Sequence, residues 1–125
     1  MEIKDFKKGQ PVFIVNTERR NGAKTSTVKQ CTVTSVGRKY LKVEDASGYS
    51  WTFRTAGAPH DYLVEKTEYS SDLMLFPSRE LADDYLYRDE QIDWARRFFG
   101  GTGGIWKLST AQLREIRKIV EEWED

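Results

Sequence analysis

The sequence predicts an α+β fold: a small SH3-like antiparallel β-barrel followed by a C-terminal helical hairpin. Three observations carry this. Short apolar-alternating segments separated by turn residues fill the first 70 positions. Apolar spacing changes from two to three-and-four from about residue 78 onward. A glycine-rich break, Gly100–Gly104, separates two helical patterns, and the second opens on a complete capping signal. These features place the barrel in residues 1–70 and the helices, packed on or beside it, in residues 71–125.

Each element has its own signal. "PVFIV" (Pro11 to Val15) follows Gly9 and is rich in β-branched and aromatic residues. "NTERRNGAKTS" reads as a long polar loop holding an Asn21-Gly22 turn. "TVKQCTVTSV" sets Cys31 and Val33 on one face and Thr32 and Thr34 on the other. "KYLKVE" sets Leu41 and Val43 against Tyr40 and Lys42, with Gly37 supplying the turn before it. "YSWTF" and "DYLVEK" complete five strands. Leu41, Val43, Val33 and Phe53 are expected in one core. Ser78 is placed to cap the first helix, where Leu81, Tyr85, Ile92, Ala95 and Phe99 recur at helical spacing. Ser109 and Gln112 make an S-x-x-Q capping box for the second. Its apolar stripe, Leu113, Ile116, Val120 and Trp123 with Ile119 beside it, has to bury against the first helix, the barrel or another protomer.

Composition narrows the function. Twenty basic and twenty acidic residues leave no net charge, so a whole-molecule field for nucleic acid is absent and any such site is a local patch. The single cysteine forms no intramolecular disulfide and is expected to be a buried small hydrophobe in a reducing compartment. The polar N-terminus and the shortness of the apolar runs point to a cytoplasmic protein with no membrane association.

The candidate sites are binding sites. Arg38 and Lys39, flanking Tyr40 and Lys42, form a basic hairpin with an interleaved aromatic, a pattern suited to phosphate and base contacts, although charged turns are more often simply solvated. Arg19, Arg20 and Lys24 in the first loop, with Lys29 after it, would enlarge that surface if the fold brought them near. Trp106 either packs the helical turn or anchors a partner. Tyr49 and Trp51 could line a pocket for a nucleotide ligand. His60 beside Asp61 lacks a placed nucleophile, so no catalytic residue is assigned. Asp83, Asp84, Asp89, Glu90 and Asp93 form an acidic helix surface without calcium-loop spacing; it reads as a solvated face or a nucleic-acid mimic, and no metal or cofactor is expected. "GGTGG" lacks the lysine of a P-loop and follows a helix.

The stretches "VTSVGRKYLKV", "EKTEYSSDLMLFPS" and "LSTAQLREI" carry a resemblance to small barrel-domain proteins encoded by phages and prophages of Gram-positive bacteria. That resemblance implies a binding role in the host cytoplasm: inhibition of a bacterial defence effector such as a CRISPR-type nuclease, host takeover, or help to replication. It transfers no active-site residue. The expectation drawn from it is a non-catalytic protein that holds a host protein. A nucleic-acid-binding accessory module and a nucleotide-ligand sponge are the alternatives.

Overall fold

A computed structural model describes residues 1–20, 23–57, 62–67, 73–100 and 104–124. The chain divides into two compact units, Met1–Leu86 and Tyr87–Asp125.

In the first unit six antiparallel strands form a closed barrel in sequence order: β1 (Pro11–Arg20), β2 (Ala23–Val36), β3 (Leu41–Glu44), β4 (Ser50–Thr55), β5 (Leu63–Glu65) and β6 (Leu73–Phe76). β6 pairs with β1, Ile14 facing Leu75, so the sheet closes on itself and leaves no free edge there. The expected α+β arrangement of a small barrel followed by helices is the one observed.

Two details differ from the sequence reading. The stretch read as a long first loop is a hairpin arm. β1 and β2 pair continuously from Pro11↔Thr32 to Arg20↔Ala23. Thr17, Thr25 and Thr27 are β-branched and suit an extended chain even without a core to cover, and Thr17 and Ser26 share a side-chain hydrogen bond across the pair. The Asn21-Gly22 turn itself lies outside the described residues. The second difference is a sixth strand, β6, which takes the barrel to Phe76, past the expected boundary at residue 70.

The interior is apolar. Val12, Ile14, Cys31, Val33, Leu41 and Val43 line it with Phe53, Leu63 and Leu75, and Ile3 and Phe6 of the N-terminal segment join the same cluster. Leu41, Val43, Val33 and Phe53 are buried together as their alternation requires. Val12 to Val15 of β1 are covered on both faces. Val12 and Ile14 point to the interior cluster, whereas Val15 joins Phe76 and Ala82 in a second cluster. That explains why "VFIV" is a continuous apolar run rather than an alternating one. Tyr62, Phe76 and Tyr85 meet in this second cluster with ring centroids 5.4–5.6 Å apart.

Helix α1 spans Arg79–Phe99 and starts on the predicted cap, the Leu81 amide donating to Ser78 Oγ at 3.2 Å. In the second unit its last turn carries a cluster of rings. Trp94 stacks on Phe98 at 5.3 Å, and Phe99 meets both edge-on. Gly104 lies so close to Phe98 that a Cβ there would overlap the ring. A short 3-10 turn (Gly104–Lys107) leads to helix α2 (Thr110–Glu124). The capping box is complete: the Gln112 amide donates to Ser109 Oγ at 3.1 Å, and the Ser109 amide to Gln112 Oε1 at 2.9 Å. Arg117 and Glu121 pair one turn apart at 2.7 Å. Among the described residues of this unit, none is fully buried.

Candidate binding surfaces

The β2–β3 turn is tight. The Gly37 amide donates to the Tyr40 carbonyl at 3.0 Å, which leaves Arg38 and Lys39 exposed between them. A register shift between Val33 and Ser35 marks a bulge in β2, where the Thr34 hydroxyl donates to the Lys42 carbonyl at 3.1 Å. β3 then alternates: Leu41 and Val43 enter the core, and Lys42 is exposed.

The outward positions of the next strands extend this cationic surface. Lys42 pairs with Thr52 and Leu41 with Phe53. With Phe53 buried, its neighbour Arg54 is exposed, donating from its guanidinium to the Thr55 carbonyl at 3.1 Å. The Lys66 amide donates to the Thr52 carbonyl at 2.8 Å, which aligns the end of β5 with Lys42 and Thr52. The Lys66 ammonium lies over the Tyr40 ring, 4.3 Å from its centroid. Lys42, Arg54 and Lys66 therefore lie with Tyr40 on the outer side of β3, β4 and β5, and Arg38 and Lys39 lie in the turn that leads to it. Glu44, two residues beyond Lys42 and opposite Ser50, is the carboxylate on the same side of β3.

The basic residues of the first hairpin do not join this surface. Arg19 and Arg20 end β1 and Lys24 lies near the start of β2, whereas the Gly37 turn follows the other end of β2. Lys29 is committed elsewhere. Its ammonium is 2.8 Å from the Asp45 carboxylate and lies 5.2 Å from the centroid of the Trp51 ring, itself 4.6 Å from Tyr49.

Asp45 organises the β3–β4 turn. Its Oδ1 accepts from the Ser47 amide at 2.9 Å, the Ser47 hydroxyl at 2.7 Å and the Tyr49 amide at 3.0 Å, while Lys29 approaches Oδ2. Gly48 closes the loop with φ +88°, a conformation that costs a glycine little. The side chain of Asp45 is only 5% exposed. The Lys29 hydrogen bond, followed by the Ser47 hydroxyl, holds its carboxyl well below the usual carboxylate range, against the smaller opposing effect of desolvation. The same hydrogen bond raises the Lys29 pKa. Cys31 is inside the barrel, and desolvation pushes its thiol up from the usual range, as a buried small hydrophobe requires.

The second unit presents a different surface. Trp106 and Trp123 are each 85% exposed. Trp94, Ile119 and Val120 are exposed as well, and the α2 stripe is amphipathic as read, with Ile116 its half-buried member. On α1, Asp83 pairs with Arg79 at 3.0 Å, and Asp84 and Glu90 are exposed. Among the described residues no cluster of metal-ligating side chains occurs. His60 and Asp61 lie outside the described residues. No described helix is long and apolar enough to cross a membrane.

The sequence identified Arg38, Lys39, Tyr40 and Lys42 because they are adjacent in the chain. Arg54 and Lys66 went unread because only strand register brings them to the same side. The Asp45 turn also went unread, although "DASGY", an Asx-type sequence with glycine at its fourth position, carries its signal.

These features define a small closed-barrel domain with a basic-aromatic outer face and a second, helical unit rich in exposed tryptophan. The chain belongs to the family of the phage ProQ C-terminal-like domain, whose model matches residues 1–123. Comparison with curated proteins and with solved structures returns no match.

Proposed function

We propose that this chain is a non-catalytic binding protein that acts in the cytoplasm of a phage-infected, Gram-positive bacterium by holding a host protein. The target class is a defence effector such as a CRISPR-type nuclease, which the chain inhibits by occupying its surface. One observation carries the reading: the unit Tyr87–Asp125 exposes Trp94, Trp106, Val120 and Trp123 beside abundant charge. Exposed tryptophans rimmed by charged side chains supply the anchors that dominate protein interfaces. The phage family supplies the setting.

The test is a tagged chain expressed in host cells carrying an active nuclease-type defence. The expected result is co-purification of the effector and increased phage plating. The double variant Trp106→Ala/Trp123→Ala should lose both while keeping the wild-type urea midpoint, since each side chain is exposed. Equal capture and equal plating by the double variant would overturn the reading. So would sedimentation showing the free chain as a dimer that the double variant dissociates, because the exposed surface would then belong to a second copy.

A further inference from the structure

We propose that the outer face of β3, β4 and β5 is a binding site for single-stranded nucleic acid, with Tyr40 as the base-stacking platform and Arg38, Lys39, Lys42, Arg54 and Lys66 as phosphate contacts. The site belongs to the first unit and does not rest on the reading of the tryptophans in the second.

Three observations converge. First, the cations come from three strands and a turn, yet register places them on one side of the sheet: Lys42 opposite Thr52, Lys66 hydrogen-bonded to Thr52, and Arg54 outward beside buried Phe53. Neighbouring strands are about 4.8 Å apart, so the row from Lys42 through Thr52 to Lys66 spans about 10 Å. Second, the chain as a whole is neutral, so this concentration of positive charge is local rather than a sample of a basic surface. Third, the aromatic sits among the cations. Tyr40 is 40% exposed and held by the Lys66 ammonium 4.3 Å from its ring centroid, which fixes a π surface beside the charges.

The chemistry selects the ligand class. Phosphates meet the cations whatever the sequence, and an unpaired base can stack on the ring. A base in a duplex is already stacked between its neighbours and gains nothing from Tyr40. A protein partner with an acidic surface would use the cations and could cover the ring as well. The contribution of Tyr40 therefore separates single strands from duplex, and competition by poly-glutamate separates nucleic acid from an acidic protein.

Fluorescence anisotropy with labelled dT12, U12 and a 12-base-pair DNA duplex tests the site, using the full chain. Binding of the single strands is expected in the micromolar range at about 150 mM salt. If about five phosphates are engaged, affinity should fall about a hundredfold between 50 and 200 mM salt. Arg54→Glu/Lys66→Glu should weaken binding more than tenfold, although both residues lie outside the Gly37 turn. Tyr40→Ala should weaken it about five- to hundredfold, and Tyr40→Phe should restore most of the loss. Unchanged urea midpoints establish that these exposed substitutions leave the barrel folded. The proposal fails if no single strand binds at 50 mM salt, or if the duplex binds as tightly as dT12. It fails equally if Tyr40→Ala has no effect, or if poly-glutamate displaces the oligonucleotide at equal charge concentration, which would assign the face to an acidic protein.

Discussion

The barrel and the helical unit are built on opposite principles. In the barrel, side chains from all six strands meet in a dry interior, with Val12, Leu41, Val43, Phe53, Leu63 and Leu75 wholly removed from solvent. In residues 87–125 no described side chain is fully buried. That unit keeps its form through local devices: a reciprocal capping box, a one-turn ion pair, a cluster of rings at the end of α1 and a glycine set against Phe98. Such devices contribute tenths to about 2 kcal/mol each, whereas a buried aromatic contributes several. The difference teaches that buried apolar area and exposed apolar area are concentrated in different parts of the chain. The barrel can lose surface residues without unfolding, and the helical unit has apolar area still to cover.

The largest test of that contrast is a matched pair of aromatic deletions. Phe53→Ala should cost about 3–5 kcal/mol, because the ring fills the barrel centre and leaves a cavity. Trp123→Ala should change stability by no more than about 0.5 kcal/mol. Urea denaturation of both variants measures the gap. Equal midpoints would show that the barrel interior is not where the stability lies.

A smaller effect sharpens the picture of the helical unit. Ser109→Ala removes the acceptor for the Gln112 amide and should cost α2 about 0.5–2 kcal/mol. Thermal melts followed at 222 nm should show early loss of helical signal while near-ultraviolet signals from the barrel hold. Simultaneous loss of both signals would show one cooperative structure instead of two principles.

The smallest expected effect is confined to acid. Asp45 has its pKa depressed in the folded chain, chiefly by Lys29 and Ser47, so the unfolded chain takes up this proton first as pH falls. The stability it provides is present above about pH 4, the unfolded carboxylate range, and is lost as pH drops toward the folded value. The urea midpoint should therefore decline between pH 5 and pH 2, and Asp45→Asn should decline less over the same interval. Parallel curves would remove Asp45 from the acid response.

Much of this was legible before any coordinates. Strict alternation in "KYLKV" and "CTV" reports a sheet with one dry side, and those residues are buried as read. Both helix starts were visible because caps are local in sequence. The long β1–β2 arm was missed because its outer half has no apolar pattern, only pairing between backbones. β6 was missed because "LMLF" is too short and uniformly apolar to declare a period. The basic face was half visible for the same reason: Arg38 to Lys42 are neighbours in the chain, whereas Arg54 and Lys66 become neighbours only through hydrogen bonds between strands. The α2 stripe was plain, but whether something covers it depends on tertiary contacts that no spacing encodes.

The lone thiol has a use the cell did not need to foresee. Cys31 is 2% exposed, walled in by the strands that close the barrel, and its raised pKa keeps it protonated near neutral pH. A thiol reagent can reach it only when those strands part. With one cysteine in the chain, each modified molecule records one opening of the barrel, so the rate of labelling in native buffer is a clock for that event. A ligand that prefers the closed form slows the clock in proportion to how tightly it holds, which gives the protein a built-in gauge of its own occupancy.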